Sequence, residues 1–180
     1  LSIDRRLQYL AYRELKAAVQ EQGARGGSLV LLDAATGEVL AMVNQPAYNP
    51  NNRTEINPQS LRNRAVTDVY EPGSTVKPFT VVAALESGRY RPDSMIDTGP
   101  GFMTVGRFTI KDTRPLGRID LTTLLQKSSN VASARIGLDL PPEAVWGLLA
   151  RVGFGQATGA GFPGEAVGAL AAFSLQRARP

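Results

Sequence analysis

The segment Glu71–Phe79 places the strongest constraint on this chain, because it sets a serine and a lysine three residues apart at the expected start of a helix. An apolar run follows this segment and ends before Gly88, which is typical of a helix that stops at a glycine. Residues three apart lie on one face of a helix. We therefore expect the hydroxyl of Ser74 and the amine of Lys77 to be neighbours.

The exact start of this helix is open from the sequence. Pro72-Gly73 interrupts the chain just before Ser74. Pro78 disfavours helical geometry at Lys77, so the helix could begin only at Pro78 and leave Ser74–Lys77 in a turn. Either geometry keeps the two side chains close. A lone Ser-x-x-Lys pattern is also typical of a helix cap followed by a solvated charge, so the motif needs partners.

The residue inventory restricts the chemistry. A serine is a weak nucleophile until a base takes its proton. The 180 residues include no His and no Cys, which excludes a Ser-His-Asp triad, thiol catalysis and disulfides, and disfavours zinc. A Ser–Lys pair is a known alternative to the triad. We expect no cofactor and no metal.

Composition indicates one globular domain, with 43% hydrophobic and 20% charged residues. The net charge of +4 comes from scattered arginines, so nucleic-acid binding is not expected. No apolar stretch approaches the length of a membrane span. No signal-peptide pattern is present, and the sequence starts on Leu and not on Met, so we interpret it as a fragment.

The N-terminal part predicts a helix packed on a hairpin. Residues 4–22 have apolar side chains at helical spacing, with Asp4 as the N-cap. Residues 27–33 and 38–43 are two apolar runs separated by a short glycine-containing loop, which predicts antiparallel strands.

The middle of the chain is less regular. Residues 44–64 are expected to form a long loop, and such loops are often functional. Asn63 and Arg64 in it are candidates for supporting a site. Residues 90–118 are rich in Pro, Gly and Asp with short apolar alternations, which predicts small hairpins.

Helices dominate the C-terminal part. Residues 120–127 predict a helix capped by Asp120, and 142–151 predict another. Between them, the polar residues 128–130 precede an apolar run over 131–138. Polar side chains at such a junction can point into a cleft, although Ser-Ser-Asn is also typical of helix capping.

Three motifs stand in order: Ser74-x-x-Lys77, Ser128-x-Asn130 and a Gly-Phe-Gly…Phe-Pro-Gly-Glu stretch at 153–165. This order resembles the penicillin-binding transpeptidases, whose signature is S-x-x-K with S-D-N and K-T-G. The chain is most similar to the class B, monofunctional type that serves cell division. Further stretches support the resemblance, namely Asp33-x-x-Thr36-Gly37-Glu38, Tyr48-Asn49-Pro50-Asn51, Arg62-Asn63-Arg64-Ala65 and Glu71-Pro72-Gly73.

The resemblance implies a role for each motif residue. Ser74 resembles the acylated nucleophile and Lys77 the group that takes its proton. Ser128 resembles the proton relay to the leaving amine, and Asn130 the residue that holds Lys77 and the substrate amide. A lysine acting as a base must have a lowered pKa, through burial or nearby charge.

The resemblance also implies a fold and a function. The fold is α+β, with helices packed on an antiparallel sheet plus a helical subdomain. The reaction is D,D-transpeptidation of a peptidoglycan stem peptide ending in D-Ala-D-Ala, and β-lactams would acylate the same serine. The family implies a periplasmic domain on an inner-membrane anchor, with divisome proteins as partners.

The chain departs from the family at its third motif, because none of its four lysines begins Lys-Thr-Gly or Lys-Ser-Gly: Lys16, Lys77, Lys111 and Lys127. In the family that motif anchors the substrate carboxylate and lies on a strand that supplies an oxyanion donor. We therefore expect residues 1–170 to form an incomplete transpeptidase domain, followed by an atypical tail at 171–180. The isolated chain is expected to be a poor enzyme.

Two alternatives stand beside the transpeptidase. A serine β-lactamase needs a positioned base for deacylation, and the Phe-Pro-Gly-Glu stretch around Glu165 does not resemble that loop. The other alternative is an inactive piece that keeps only scaffold or partner surfaces.

Overall fold

The computed structural model describes residues 2–52, 54 and 57–170. The tail expected to be atypical, 171–180, lies outside the described residues. The chain divides into two compact units. The first holds the chain up to Val69 together with Gly159–Ala166, and the second holds Tyr70–Thr158 with the chain from Val167 onward.

The first unit is built on helix α1, Arg5–Glu21. The predicted cap is confirmed, because Asp4 Oδ1 accepts hydrogen bonds from the backbone N–H groups of Arg6 and Leu7 at 2.8 and 3.0 Å. These bonds satisfy two of the donors that a helix start leaves without partners.

The predicted hairpin is confirmed as β1, Gly27–Leu32, paired antiparallel with β2, Val39–Gln45. Asp33 Oδ1 accepts from the backbone N–H groups of Ala35 and Thr36 at 2.9 and 2.8 Å and so shapes the turn. Because alternate strand residues share a face, one face of the hairpin packs on α1. A small core results, formed by Ala11, Ala41 and Val43 with Leu7, Leu15 and Leu29.

Helix α1 also covers the outer edge of β2. Gln8 Nε2 donates to Met42 O and Gln8 Oε1 accepts from Met42 N, both at 2.8 Å. Asp4 N donates to Leu40 O at 2.9 Å. One amide side chain thus takes the place of a neighbouring strand, which protects this edge from other chains.

The expectation of a continuous loop over 44–64 is wrong in part. Strand β2 runs on to Gln45, and a one-turn helix α2, Pro58–Leu61, follows. Proline is favoured at the first position of a helix because its fixed φ suits the helix and its missing N–H would have no partner there. Helix α3, Arg64–Thr67, comes next.

Asn63 and Arg64, the candidates for supporting a site, bind partners inside the first unit. Asn63 Oδ1 accepts from Asn44 Nδ2 at 2.8 Å, and Asn44 Oδ1 accepts from Ala65 N at 2.9 Å, which ties α3 to β2. Arg64 forms an ion pair with Asp68 at 3.1 Å. These contacts give both residues a structural role in the first unit.

The second unit is mainly helical. It begins with a short 3₁₀ turn, Gly73–Val76. Four α-helices follow in the described part of the unit: α4 at Lys77–Glu86, α5 at Leu121–Lys127, α6 at Asn130–Asp139 and α7 at Pro142–Arg151. The predicted cap of α5 is confirmed, because Asp120 accepts from Thr123 N at 2.7 Å. The helices bury a shared core, formed by Val81, Ala83, Ala84, Ile96, Ile119, Leu121, Leu124, Ala132, Ile136, Leu140 and Leu148.

The small hairpins expected in 90–118 are two antiparallel pairs. Strand β3, Ile96–Asp97, pairs with β6, Arg118–Ile119, and β4, Phe102–Val105, pairs with β5, Phe108–Lys111. The expected α+β class, with antiparallel strands and a helical part, is therefore confirmed. Within the described ranges, no helix is both long enough and apolar enough to cross a membrane.

Candidate active site

Ser74 and Lys77 lie at the junction of the 3₁₀ turn and α4. The turn Gly73–Val76 runs directly into the helix, whose first residue is Lys77. This geometry combines the two alternatives left open by the sequence, since Ser74 lies in a turn and Lys77 starts the helix. Lys77 Nζ is 3.1 Å from Ser74 Oγ. The predicted proximity of the hydroxyl and the amine is confirmed.

The structure brings the second motif to the same amine. Lys77 Nζ lies 2.8 Å from Ser128 Oγ and 2.7 Å from Asn130 Oδ1, and it also donates to the backbone carbonyl of Ser128. Ser128 is 51 residues further along the chain than Lys77. The four residues of the first two motifs therefore meet at Lys77 Nζ, whereas the candidates Asn63 and Arg64 are not among its described partners.

Ser128 adopts a backbone conformation that serine rarely takes. It ends α5 with φ 53° and ψ 45°, in the left-handed region, and is the one non-glycine residue with positive φ in the described ranges. Glycine is the usual residue at such a helix end. A strained serine at this position points to a functional constraint, because strain persists where it positions a reactive group.

The lysine is buried and its hydroxyl and amide neighbours are open to solvent. Lys77 is 9% exposed, whereas Ser74, Ser128 and Asn130 are exposed. Burial lowers the pKa of the Lys77 amine, because the charged form loses its hydration, and the negative charge of Asp112 partly opposes this shift. A larger share of Lys77 is therefore neutral near pH 7 than for an exposed lysine.

The hydrogen-bond partners of Lys77 suit a neutral amine as well as an ammonium group. A neutral amine has two N–H donors and one lone pair, whereas the ammonium form has three donors and no acceptor. Ser128 O and Asn130 Oδ1 can only accept, so they take two N–H groups. In the neutral form the lone pair is left for a hydroxyl, either Ser128 Oγ at 2.8 Å or Ser74 Oγ at 3.1 Å. The neutral form of Lys77 is therefore placed within reach of the Ser74 proton.

Sequence reasoning missed Asp112, which directly follows β5. Its Oδ1 accepts from the backbone N–H groups of Asn130 and Val131 at 2.6 and 3.1 Å, and its Oδ2 accepts from Ser129 Oγ at 2.8 Å. No local signal could have found this role, because the aspartate lies 17 residues before Ser129 and caps a helix from a different hairpin.

The comparisons with known proteins agree on one family. The chain matches the penicillin binding protein transpeptidase domain over residues 27–179. A probable peptidoglycan D,D-transpeptidase, PbpC, of Pseudomonas aeruginosa is 45% identical over 170 residues, which are 94% of this chain and 30% of that protein. The peptidoglycan D,D-transpeptidase FtsI of Escherichia coli is 48% identical over 168 residues, or 93% of this chain and 28% of that protein.

A solved structure shares the fold of this chain. The apo structure of the TP domain from Burkholderia pseudomallei penicillin-binding protein 3 is 40% identical, with a TM-score of 0.80, over 93% of this chain and 46% of that chain. The present chain spans only 28–30% of the length of the two relatives named above.

Proposed function

The chain belongs to the penicillin-binding protein transpeptidase family, and we propose that it carries the acylation half of a peptidoglycan D,D-transpeptidase site, with Ser74 as the nucleophile. The observation that carries this proposal is the position of Lys77 Nζ, which is 3.1 Å from Ser74 Oγ and bonded to both Ser128 and Asn130. Its fold is that of the family's transpeptidase domains.

The first half of the reaction forms an ester on Ser74. Ser74 Oγ attacks the carbonyl carbon of the penultimate D-Ala, and its proton passes to the lone pair of Lys77 Nζ. The C–N bond to the terminal D-Ala then breaks. The leaving amine takes a proton that Lys77 supplies through the Ser128 hydroxyl, which is 2.8 Å from Nζ. Splitting one amide exchange into two steps lowers each barrier.

The second half reverses these transfers. The amine of a neighbouring stem peptide attacks the ester carbon and gives its proton to Lys77. The ester C–O bond breaks, and Ser74 Oγ regains a proton from Lys77. No proton or electron pair is left over, so Lys77 starts each cycle neutral.

Asn130 has two tasks in this scheme. Its Oδ1 accepts from Lys77 and so keeps the amine in place, while its Nδ2 donates one proton to Lys111 O at 2.8 Å. The second proton on Nδ2 remains for the backbone carbonyl of a substrate. The amide is held in one orientation, because exchanging its O and N would place a donor against Lys77.

The whole protein's setting follows from the same proposal. The relatives named D,D-transpeptidases support a stem peptide ending in D-Ala-D-Ala as the substrate and β-lactams as mimics that acylate Ser74. We assign the domain to the periplasm, on an inner-membrane anchor, and the resemblance to FtsI supports divisome partners.

Acylation by a fluorescent penicillin tests the proposal. The chain is compared with a version extended by a strand that carries Lys-Thr-Gly or Lys-Ser-Gly, here called the longer form, and both are labelled over time and resolved by mass. Ser74→Ala is expected to abolish labelling in both forms. Ser87→Ala removes a hydroxyl just beyond the other end of α4, where Ser87 Oγ donates to Ala84 O at 2.6 Å, and should leave labelling intact.

The outcomes separate the transpeptidase from its alternatives. Loss of one oxyanion donor costs about 10²–10³-fold in rate, so the short chain should label at least about 10²-fold more slowly than the long one. A stable penicilloyl ester supports a transpeptidase, whereas rapid hydrolysis of that ester identifies a β-lactamase. No labelling of either form, with the fold intact, identifies an inactive scaffold and refutes the proposal.

A further inference from the structure

We propose that Asp112 is a positioning residue for this site, because its carboxylate holds the Ser129–Val131 turn that places Ser128 and Asn130 against Lys77. The inference rests on the proposed function, in which those two side chains orient the base and relay its proton. Asp112 itself touches neither Lys77 nor a reacting atom.

Three donors converge on the Asp112 carboxylate. Its Oδ1 lies 2.6 Å from Asn130 N and 3.1 Å from Val131 N, and its Oδ2 lies 2.8 Å from Ser129 Oγ. Two of these donors are backbone N–H groups at the start of the ten-residue helix α6, where the helix itself offers them no partner. Hydrogen bonds to an ionised acceptor are shorter and stronger than neutral ones, and an anion is favoured at a helix N-terminus.

Two residues of the anchored turn are deeply buried, on either side of the exposed Asn130. Ser129 is 1% exposed and Val131 is fully buried. The Asp112 carboxylate therefore forms hydrogen bonds to residues that packing already holds in place. Ser129 Oγ both donates to Asp112 and accepts from Ala132 N at 3.0 Å, which completes the cap of α6. A shift of Asp112 would therefore move the first turn of α6.

Asp112 is in turn held by its hairpin. Asp112 N donates to Gly101 O at 2.8 Å, which closes the β4–β5 hairpin next to the site. The preceding residue contributes too, because Lys111 O accepts from Asn130 Nδ2 at 2.8 Å. The end of β5 thus fixes the backbone of Asn130 through Asp112 and its side-chain amide through Lys111.

The carboxylate also acts on Lys77 through its charge. Neighbouring elements carry other charged groups, including Lys111, Lys127 and Arg135, but the charge that raises the pKa of Lys77 against the effect of burial is that of Asp112. Position and charge can be separated by substitution. Asn keeps an acceptor oxygen for the two amides and removes the charge, whereas Glu keeps the charge and displaces it.

The sharpest measurement is an NMR titration of lysine side chains labelled with ¹³C at Cε. The chain has only four lysines, so each signal can be assigned by a single Lys→Arg substitution. Asp112→Asn is expected to move the Lys77 midpoint to lower pH. Asp120→Asn is the matched control, because the Asp120 carboxylate also accepts a backbone N–H at a helix start, that of the adjacent helix α5, and it should leave the Lys77 midpoint unchanged.

Penicillin acylation of the longer form supplies the second readout. Misplacing reacting groups by about 1 Å can cost about 10²-fold in rate, so Asp112→Ala and Asp112→Glu should both slow acylation by up to about 10²-fold. Asp112→Glu should do so without moving the Lys77 midpoint far, because the charge remains. It also serves as the deciding variant if Asp112→Asn does not fold.

Two results would overturn the inference. One is a folded Asp112→Asn in which the Lys77 midpoint does not move, or moves no further than it does in Asp120→Asn. The other is a folded Asp112→Glu that acylates at the unsubstituted rate. A failure of the proposed function is distinguishable, because Ser74 would then never be labelled while the Lys77 midpoint still responded to Asp112.

Discussion

The left-handed backbone of Ser128 leads to a quantitative prediction. At φ 53° a residue with a Cβ is strained, and glycine is not. We compare Ser128→Gly with Ser128→Ala, because both lack the hydroxyl and both keep the backbone carbonyl that contacts Lys77. The difference between them therefore isolates the backbone cost.

The magnitude follows from two opposing contributions. The left-handed conformation costs a residue with a Cβ about 1–2 kcal/mol. In the opposite direction, glycine lowers the free energy of unfolding by about 0.4–1 kcal/mol, because an unfolded chain with glycine has more conformational entropy. Ser128→Gly should thus be more stable than Ser128→Ala by about 0.5–1 kcal/mol, or about 1–4 °C in Tm for a domain of this size.

Urea and thermal unfolding of the two variants measure this difference, and penicillin labelling of the longer form measures the functional effect. We expect the glycine variant to be the more stable of the two, while both fall well below the unsubstituted protein in acylation, because each has lost the hydroxyl 2.8 Å from Lys77 Nζ. Equal stability of the two variants would show that Ser128 is not strained. Normal acylation by either would remove Ser128 from the mechanism.

Three further predictions concern titration and packing. Because burial lowers the pKa of Lys77 below 10.5 in the folded chain, the folded chain binds fewer protons than the unfolded chain between the folded pKa and pH 10.5, and the free energy of unfolding should rise with pH over that range. Lys77→Met should flatten this rise in urea unfolding at stepped pH, and an unchanged slope would contradict the prediction. Leu124→Ala, at a fully buried position, should cost about 2–5 kcal/mol in urea unfolding, whereas Leu125→Ala at a 41% exposed position should cost far less; similar losses would refute the assigned core. Backbone N–H groups lower the pKa of Asp33, so its stabilising contribution is present above pH 3.8 and is lost as pH falls through the folded pKa; Asp33→Asn should weaken that acid dependence, which thermal unfolding at stepped pH would detect.

Local features were predictable because they depend on neighbours in the sequence. The caps Asp4 and Asp120, the hairpin around Asp33 and the helix over 142–151 all follow from side chains acting within a few residues. Over 44–64 this reasoning held only in part, because the polar composition hid the end of β2 and a short helix. Local structure after this helix depends on contacts between distant residues, such as the hydrogen bond between Asn44 and Asn63, which are 19 residues apart and tie α3 to β2.

For the site, the sequence by itself limited the candidate groups. The absence of His and Cys excluded a Ser-His-Asp triad and thiol catalysis, the spacing of Ser74 and Lys77 indicated a Ser–Lys pair as an alternative, and the contact between these two residues needs only one turn of backbone. Tertiary structure alone decided the rest. It joined Ser128 and Asn130 to Lys77, buried the amine and so lowered its pKa, and brought Asp112 from a separate hairpin to cap α6. Such effects arise from desolvation and from contacts across long loops, and both depend on how the whole unit packs and not on local spacing.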